Sequence, residues 1–536
     1  MTGYRARRLP VQLGPAAWNA LLPAAPAVQP LERDTTADFV VVGAGFAGLS
    51  AARRLTQLQP GARILVLEAG RLAEGAAGRN SGFMIDLPHD LQSTDYAGAG
   101  DDRAWIARNR QAIGFAAEAV EEYGIDRNFF DPAGKINGAA SAAAQAHNDS
   151  YARHLAALGE HCERLDAQEM RALTGSPHYR SGLFSPGTVM LQPAGYIRGL
   201  ARGLRAAGVM IHEASPARAL TRQGPGWQVT TPGGRVSTAR VILTVNGHLE
   251  SFGVARGRLM QLFLYAVMTP ELDAETLARL GGAPRWGITP ADPMGTTVRR
   301  IDSGQGGNRL LLRSCATLRP DMRPRRRDLA RAAAVMRRKF AQRFPQLAGL
   351  RMEHAWAGPL CLSLNGVSVT REIEAGLVSG CVQNGLGTAR GTLTGIAAAE
   401  LAAGVPSPLT DFFATEDLLR AIANTVAFAI LGVALGNFAG FMLALIFHFR
   451  SVRAGCAFVR AVHELFWALI FLQVFGLSPL TGILALAIVL YDGRLKATLL
   501  GPLLMGLCRM FNVLLGMSLA LEGAGHILPP NARWIV

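Results

Sequence analysis

Residues 38–68 constrain the fold more than any other stretch of this chain. Asp38–Val42 (DFVVV) reads as a short buried strand of a parallel sheet. Gly43-Ala44-Gly45-Phe46-Ala47-Gly48 follows at once, then an amphipathic stretch from Leu49 to Leu58. Gln59-Pro60-Gly61 breaks that helix, and Arg63–Leu67 (RILVL) is a second strand ending on Glu68. In this order Gly43 permits a tight strand-to-helix turn, and Gly45 lets a pyrophosphate approach the backbone. Gly48 lets the helix pack close to the sheet. The amide groups around Phe46 and Ala47, at the helix N-terminus, present free N–H donors and the positive end of the dipole to phosphate. Glu68, followed by Ala69, comes twenty residues after Gly48, where a carboxylate accepts hydrogen bonds from ribose hydroxyls and repels a 2′-phosphate. A lone Gly-rich turn would be weak evidence. The full order of strand, turn, helix, strand and acid predicts a Rossmann-like α/β domain.

A second Gly-rich loop, Gly75-Ala76-Ala77-Gly78-Arg79-Asn80-Ser81-Gly82-Phe83, stands where a nicotinamide-binding domain would continue with another helix and strand. This loop resembles the flavin-contacting "GASGRNGG"-like stretch of the D-amino-acid oxidase/glycine oxidase superfamily. The resemblance runs along most of residues 38–405. Ser185-Pro186-Gly187 to Gly195-Tyr196 looks like the entry into the family's second nucleotide-side unit, and Val241–Gly247 (VILTVNG) resembles its "VVLATNA" strand. Trp356-Ala357-Gly358-Pro359 is similar to its "WAG" strand. Gly376–Cys381 followed by Asn384-Gly385-Leu386-Gly387-Thr388 and the helix Thr392–Leu401 resembles its closing strand–loop–helix, with NGLG in place of the usual "GHG". The resemblance implies FAD as cofactor, held by Gly43, Gly45, Phe46, Ala47, Gly48, Glu68, Ala69, Arg79, Asn80, Ser81, Thr244, Asn246, Asn384, Gly385, Leu386, Gly387 and Thr388. It also implies flavin-side parts over residues 38–90, 180–250 and 355–405.

Between Phe252 and Arg319 the sequence reads as β-strands: the apolar run Leu259–Met268, the alternating Thr296–Ile301, and Arg309–Ser314 after a Gly-rich turn. The family places an antiparallel substrate sheet here, at 252–320. An arginine fork matches a substrate carboxylate, and Arg299, Arg300 and Arg313 are the candidates, each equally able to face solvent. The implied reaction moves a hydride from the carbon beside a neutral amine to the flavin, after which the imine hydrolyses. Such chemistry asks little of side chains. His89, in DLPHD just after the flavin loop, is the best histidine candidate for a catalytic role, against the alternative of a surface turn. Cys315 and Cys381 could each carry a covalent flavin or be inert buried thiols.

Composition excludes several other classes. The formal net charge is +15, and only three of the 54 basic residues are lysines, Lys135, Lys339 and Lys496. The arginines are scattered without a nucleic-acid motif; their densest run, around Arg323–Lys339, fits a solvated helix face. The six cysteines form no CxxC pair or His-rich cluster, so no metal site is expected. Residues 1–37 carry no apolar run of signal-peptide length and read as an extended lead-in.

After Leu409-Thr410-Asp411 the composition changes. Ile422–Phe447 is about 26 residues without a charge, long enough to span a bilayer, which needs roughly 20. Residues 415–491, with FRSVR at 449–453 and VHELFWALIF at 462–471, resemble a fragment of a phosphonate-type ABC transporter permease. Residues 492–536 resemble an internal piece of a UbiA-like prenyltransferase without its NDxxD motif. The expectation is therefore an FAD-dependent oxidoreductase over 38–410 acting on the C–N bond of a small amine or amino acid, with a C-terminal α-helical transmembrane region. Membrane contact is expected over 422–521 at a bacterial inner membrane, with the flavin domain cytoplasmic, and electrons pass to oxygen or to quinone. A membrane-attached dehydrogenase using quinone, and a transport-related fusion protein, stand as alternatives. Pro-rich Val405–Pro408 is the natural linker, so the tail is expected to be dispensable for the chemistry.

Overall fold

The computed structural model describes residues 3–88, 102–292, 295–406 and 408–415. The chain divides into two units, Met1–Ala414 and Thr415–Val536. The second, with the expected apolar spans and both transporter-like and transferase-like fragments, lies outside the described residues except for Thr415. Among the described residues no helix is long and apolar enough to cross a membrane.

The first unit is built on two large sheets. In the nine-stranded sheet, Thr35–Val42 is central, paired in parallel with Ile64–Leu67 on one side and Arg235–Leu243 on the other. Met210–His212 extends the parallel set beyond Ile64–Leu67. Arg235–Leu243 serves two partners: its first half pairs antiparallel with Gly226–Thr230, and its last three residues run parallel to Leu377–Cys381. Helices Phe46–Leu58, Pro193–Ala206 and Ala389–Ala403 cover one face and bury Leu49, Leu55, Ile197, Leu200, Leu393 and Ile396 against Val41 and Val66. Val40, Val42, Leu65 and Leu67 point to the other face and are buried there with Leu220, Leu243 and Phe252, and this two-sided burial is why the central strands read as unbroken apolar runs.

The eight-stranded sheet has the order His354–Ser363, Leu259–Met268, Arg309–Leu318, Thr297–Ile301, Trp286–Pro290, Lys135–Ala139, Ser181–Ser185 and Glu163–Leu165. Its outer face is closed by helix Arg326–Arg343, whose Met336 and Phe340 pack with Ile136, Ile288, Val298 and Leu312. The opposite face of that helix is the arginine-rich run, largely exposed, as a solvated face requires.

Three placements differ from the sequence reading. His354–Ser363, expected on the flavin side, is the edge strand of the eight-stranded sheet, in register with all ten residues of Leu259–Met268. Ser181–Ser185, expected to open the second flavin-side part, pairs with Lys135–Ala139 in the same eight-stranded sheet. That sheet therefore draws strands from 135–185 as well as 259–363, and the stretch 252–320 also contains the helix Ala274–Leu280. The lead-in, expected to be extended, is stitched into the fold. Gly3–Arg5 forms an edge strand on Ala219–Gln223, and Trp18 in the short helix Ala17–Ala20 is fully buried and donates to the Asn80 carbonyl at 2.8 Å.

Candidate active site

A cavity of about 470 Å³ is lined by residues of both sheets. Its first wall is the Gly-rich turn. Gly43 has φ +106°, a conformation that favours glycine, and a side chain there would meet the Thr244 carbonyl oxygen at 2.8 Å. Gly48 has no cavity lining to its name; a Cβ on it would lie 1.8 Å from the Gly43 carbonyl, so its role is close helix–turn packing. Gly45 is different: it lines the cavity, and the nearest atom to its Cβ position is Ala77 Cβ at 3.6 Å. It is also the N-cap of helix Phe46–Leu58 and offers no side-chain cap, so the first-turn N–H groups of Phe46 and Ala47 have no side-chain acceptor from it.

Glu68 ends the second strand beside this turn. Its carboxylate accepts from Ala44 N–H at 2.9 Å and Gly70 N–H at 3.0 Å. Burial raises its pKa, and those N–H groups oppose the rise. Thr244 donates to the Val42 carbonyl at 2.9 Å and so ties strand Arg235–Leu243 to the turn. The loop 75–83 closes the next wall. Arg79 is buried and spends its guanidinium on the carbonyls of Glu74, Leu13, Gly14 and Ala357; burial pushes its pKa down to about 10. It positions the loop, while Asn80 folds the loop on itself through Ala77 O at 2.6 Å and Gly82 N–H at 2.7 Å. The far wall is Asn384–Thr388, before helix Ala389–Ala403, whose N-cap Thr388 also gives no side-chain cap and instead donates to Phe83 O at 2.7 Å. Ala69, Ser81 and Asn246 line the same space.

Two uncapped helix starts, a glycine that leaves the turn open and a buried carboxylate at the second strand end make a cradle suited to a pyrophosphate and a ribose. Comparison with known families agrees. The family model described as FAD dependent oxidoreductase matches residues 38–401. The chain belongs to that family. The oxidoreductase is 25% identical over 413 residues to a probable oxidoreductase OrdL of Rhizobium meliloti, covering 75% of this chain and 91% of that one. It is also 25% identical over 342 residues to gamma-glutamylputrescine oxidoreductase of Escherichia coli, covering 62% and 76%. Among solved structures, glycine oxidase from Geobacillus kaustophilus superposes with a TM-score of 0.57 at 18% identity, covering 70% of this chain and 96% of that one. L-amino acid deaminase from Proteus vulgaris gives 0.54 at 17% identity, covering 72% and 94%.

The eight-stranded sheet turns a polar row toward the cavity. Arg313 pairs with Thr297 across one strand boundary, and Thr289 pairs with Asn137 across another. Thr289 and Thr297 are the next residues of their strands beyond the Ile288–Val298 pair. All four line the cavity, while their strand neighbours Leu312, Val298, Ile288 and Ile136 face the core, as the two-residue period of a strand requires. The Arg313 guanidinium makes no hydrogen bond or ion pair among the described residues, and burial lowers its pKa.

Arg299 lies elsewhere. It is 0% exposed and donates to the carbonyls of Ser81 and Gly82 at 3.3 and 2.9 Å, to Leu191 O, and to Gln305 Oε1 at 2.7 Å. Those bonds hold the loop 75–83 on the sheet and leave Arg299 outside the cavity lining. Arg300 donates to Gly281 O at 2.5 Å and is likewise outside it. His89 lies outside the described residues. Neither Cys315 nor Cys381 lines the cavity, and burial pushes the Cys381 thiol up to about 11. Cys361 does line it, also with a raised pKa, so it faces the site as a neutral thiol.

Sequence reading missed Lys135. It is 2% exposed, and its ammonium donates to Asn137 Oδ1 and, at 3.5 Å, to Thr289 Oγ1; Thr289 in turn donates to Asn137 Oδ1 at 2.7 Å. No carboxylate lies within ion-pair distance among the described residues, and burial lowers its pKa from an ordinary 10.5 to about 8. Its rarity in an arginine-rich chain is the one signal that could have marked it. A depressed lysine pKa means the fold resists protonation: stability rises with pH between about 8 and 10.5, where the unfolded chain still binds the proton. Lys135→Met is therefore expected to stabilise the protein by roughly 1–3 kcal/mol at neutral pH. The gain should shrink as pH rises toward 10.5, measured by urea unfolding across pH; a gain that does not change with pH would contradict this.

Proposed function

We propose that this FAD-dependent oxidoreductase oxidises the C–N bond of a small carboxylate-bearing amine or amino acid. The observation that carries the proposal is Arg313: a half-buried guanidinium lining the cavity that the Gly-rich turn also lines, without a carboxylate partner among the described residues. A substrate carboxylate supplies that partner. Relatives named as a glycine oxidase, an L-amino acid deaminase and a gamma-glutamylputrescine oxidoreductase support the substrate class.

FAD would be held by the Gly43–Gly48 turn, Glu68 and the loops at 75–83 and 384–388, and when bound it supplies the acceptor for a hydride from the carbon beside nitrogen. The protein's part is to orient and to desolvate. Arg313 fixes the carboxylate end, and the threonines beside it in the row give hydrogen-bonding room for the rest of the substrate. Apolar Phe83 and Ile85, with the cavity face of Phe263, keep the reacting carbon dry and favour the uncharged amine. Anaerobic mixing with a panel of amines and amino acids should bleach the flavin, with a rate that rises with pH as the amine deprotonates. Bleaching by alcohols or 2-hydroxy acids alone would refute the C–N reading.

The apolar stretch Ile422–Phe447 supports membrane attachment through residues 422–521, and with it a quinone rather than oxygen as acceptor. Peroxide release during turnover separates the two. The chemistry itself resides in the first unit. Phe413 is 2% exposed in its core, and Phe412 packs edge-on against Trp105 with centroids 4.8 Å apart. A chain ending at Ala414 is thus expected to keep FAD and substrate-dependent bleaching, whereas one ending before Phe412 should lose about 3–5 kcal/mol of stability. Loss of FAD from the chain ending at Ala414 would mean that the tail contributes to the fold.

A further inference from the structure

Asn137 and Thr289 line the cavity three and two strands away from Arg313, with Lys135 buried behind them, and the hydride chemistry makes no use of the cluster. Its geometry fixes what it can bind. An ammonium only donates, so the Asn137 atom that meets Lys135 is the amide oxygen, which also takes the Thr289 hydroxyl proton. The amide therefore cannot flip, and Nδ2, a donor, is the edge left for the cavity that Asn137 lines. Asn148 bonds the Asn137 carbonyl at 2.8 Å and pins the backbone as well. Behind this donor stands a buried positive charge that makes no ion pair among the described residues; the buried carboxylate that acts on it from further off, Asp86, is itself taken by Arg110 at 3.1 Å and Thr188 at 3.4 Å. Asp292, two residues past the end of the strand that carries Thr289, also lines the cavity, but it is exposed and makes no ion pair with Lys135.

The row thus has a cation at each end. Arg313 stands at one, and Asn137 backed by Lys135 at the other. Three strand spacings place their Cα atoms about 14 Å apart, a distance the long Arg313 side chain can shorten. A substrate with one anionic group would leave the second end unanswered.

We infer that the oxidoreductase selects amine substrates carrying two separated carboxylates, one taken by Arg313 and the other by Asn137, with Lys135 as the positioning residue that holds the Asn137 donor toward the ligand. This rests on the Arg313 reading above and adds the second recognition point. It places Lys135 in a role that explains why a destabilising buried charge stands beneath a binding surface.

Calorimetric titration of the FAD-loaded protein with unreactive acids tests it without turnover. Glutarate and adipate are compared with pentanoate and hexanoate, the monocarboxylates of equal length. The dicarboxylates should bind at least about tenfold tighter, the effect of one added charge-assisted hydrogen bond. Asn137→Leu and Lys135→Met should each bring that ratio toward one. Arg313→Met should weaken all four acids together. Equal affinity for the two acid types, or a dicarboxylate preference that survives both Asn137→Leu and Lys135→Met, would overturn the second recognition point alone. Failure of every acid to bind would overturn the Arg313 reading and this one with it.

Discussion

Gly45→Val should yield a folded protein that purifies without FAD. The valine side chain would stand over open space, with Ala77 Cβ at an ordinary 3.6 Å from its Cβ, so the apoprotein has no reason to rearrange. It would fill the volume through which a pyrophosphate reaches the helix start. Affinity is expected to fall by at least about 10³-fold, since the phosphates lose their backbone donors together. Gly48→Ala makes the control. There a Cβ would sit 1.8 Å from the Gly43 carbonyl, so that variant should lose the fold as well as the flavin. Circular dichroism with flavin absorbance separates the two: native-like ellipticity with no yellow colour for Gly45→Val, and reduced ellipticity for Gly48→Ala. A yellow Gly45→Val protein would move the pyrophosphate away from this turn.

Arg313→Met should leave FAD binding intact and lower kcat/KM for carboxylate-bearing amines by about 10²–10³-fold, the scale of removing one partner from a desolvated charge pair. The variant removes a half-buried charge that makes no ion pair among the described residues, so its thermal stability should not fall. Arg313→Lys keeps the charge but loses the fork and should recover only part of the activity. Amines without a carboxylate should be nearly indifferent to both changes. If Arg313→Met reduced activity equally for carboxylated and uncarboxylated amines, the residue would be acting on the fold or the flavin and not on the substrate.

Much of the nucleotide side was legible because its signals are local. A β-run, three glycines at fixed spacing, an amphipathic helix and a terminal acid all lie within 31 residues, and each follows from backbone geometry alone. The sheet strands around the substrate were less legible, for a physical reason. Strand pairing is set by register between residues far apart in sequence. Nothing local says that Ser181–Ser185 pairs with Lys135–Ala139, or that the WAG strand joins Leu259–Met268. The same limit applied to the three arginines. Arg299 and Arg313 lie on the same face of one sheet, one boundary apart, yet one is consumed by loop carbonyls and the other opens to the cavity. Only the flavin loop's carbonyls, brought in from Ser81 and Gly82, decide between them. Asn137, Thr289 and Lys135 had no motif at all, because their meaning lies in the row they form across strands.

The measurement closest to the central claim is a single anaerobic turnover with product analysis. The FAD-loaded protein is mixed with a slight excess of an amino or imino dicarboxylic acid until bleaching stops, and the carbonyl compound released is counted against the flavin reduced. Hydride transfer from the carbon beside nitrogen, followed by imine hydrolysis, predicts one carbonyl product for each FAD, with the matching amine or ammonia. Flavin reduction without any carbonyl product, or no reduction by any amine while the protein remains loaded with FAD, would contradict C–N oxidation.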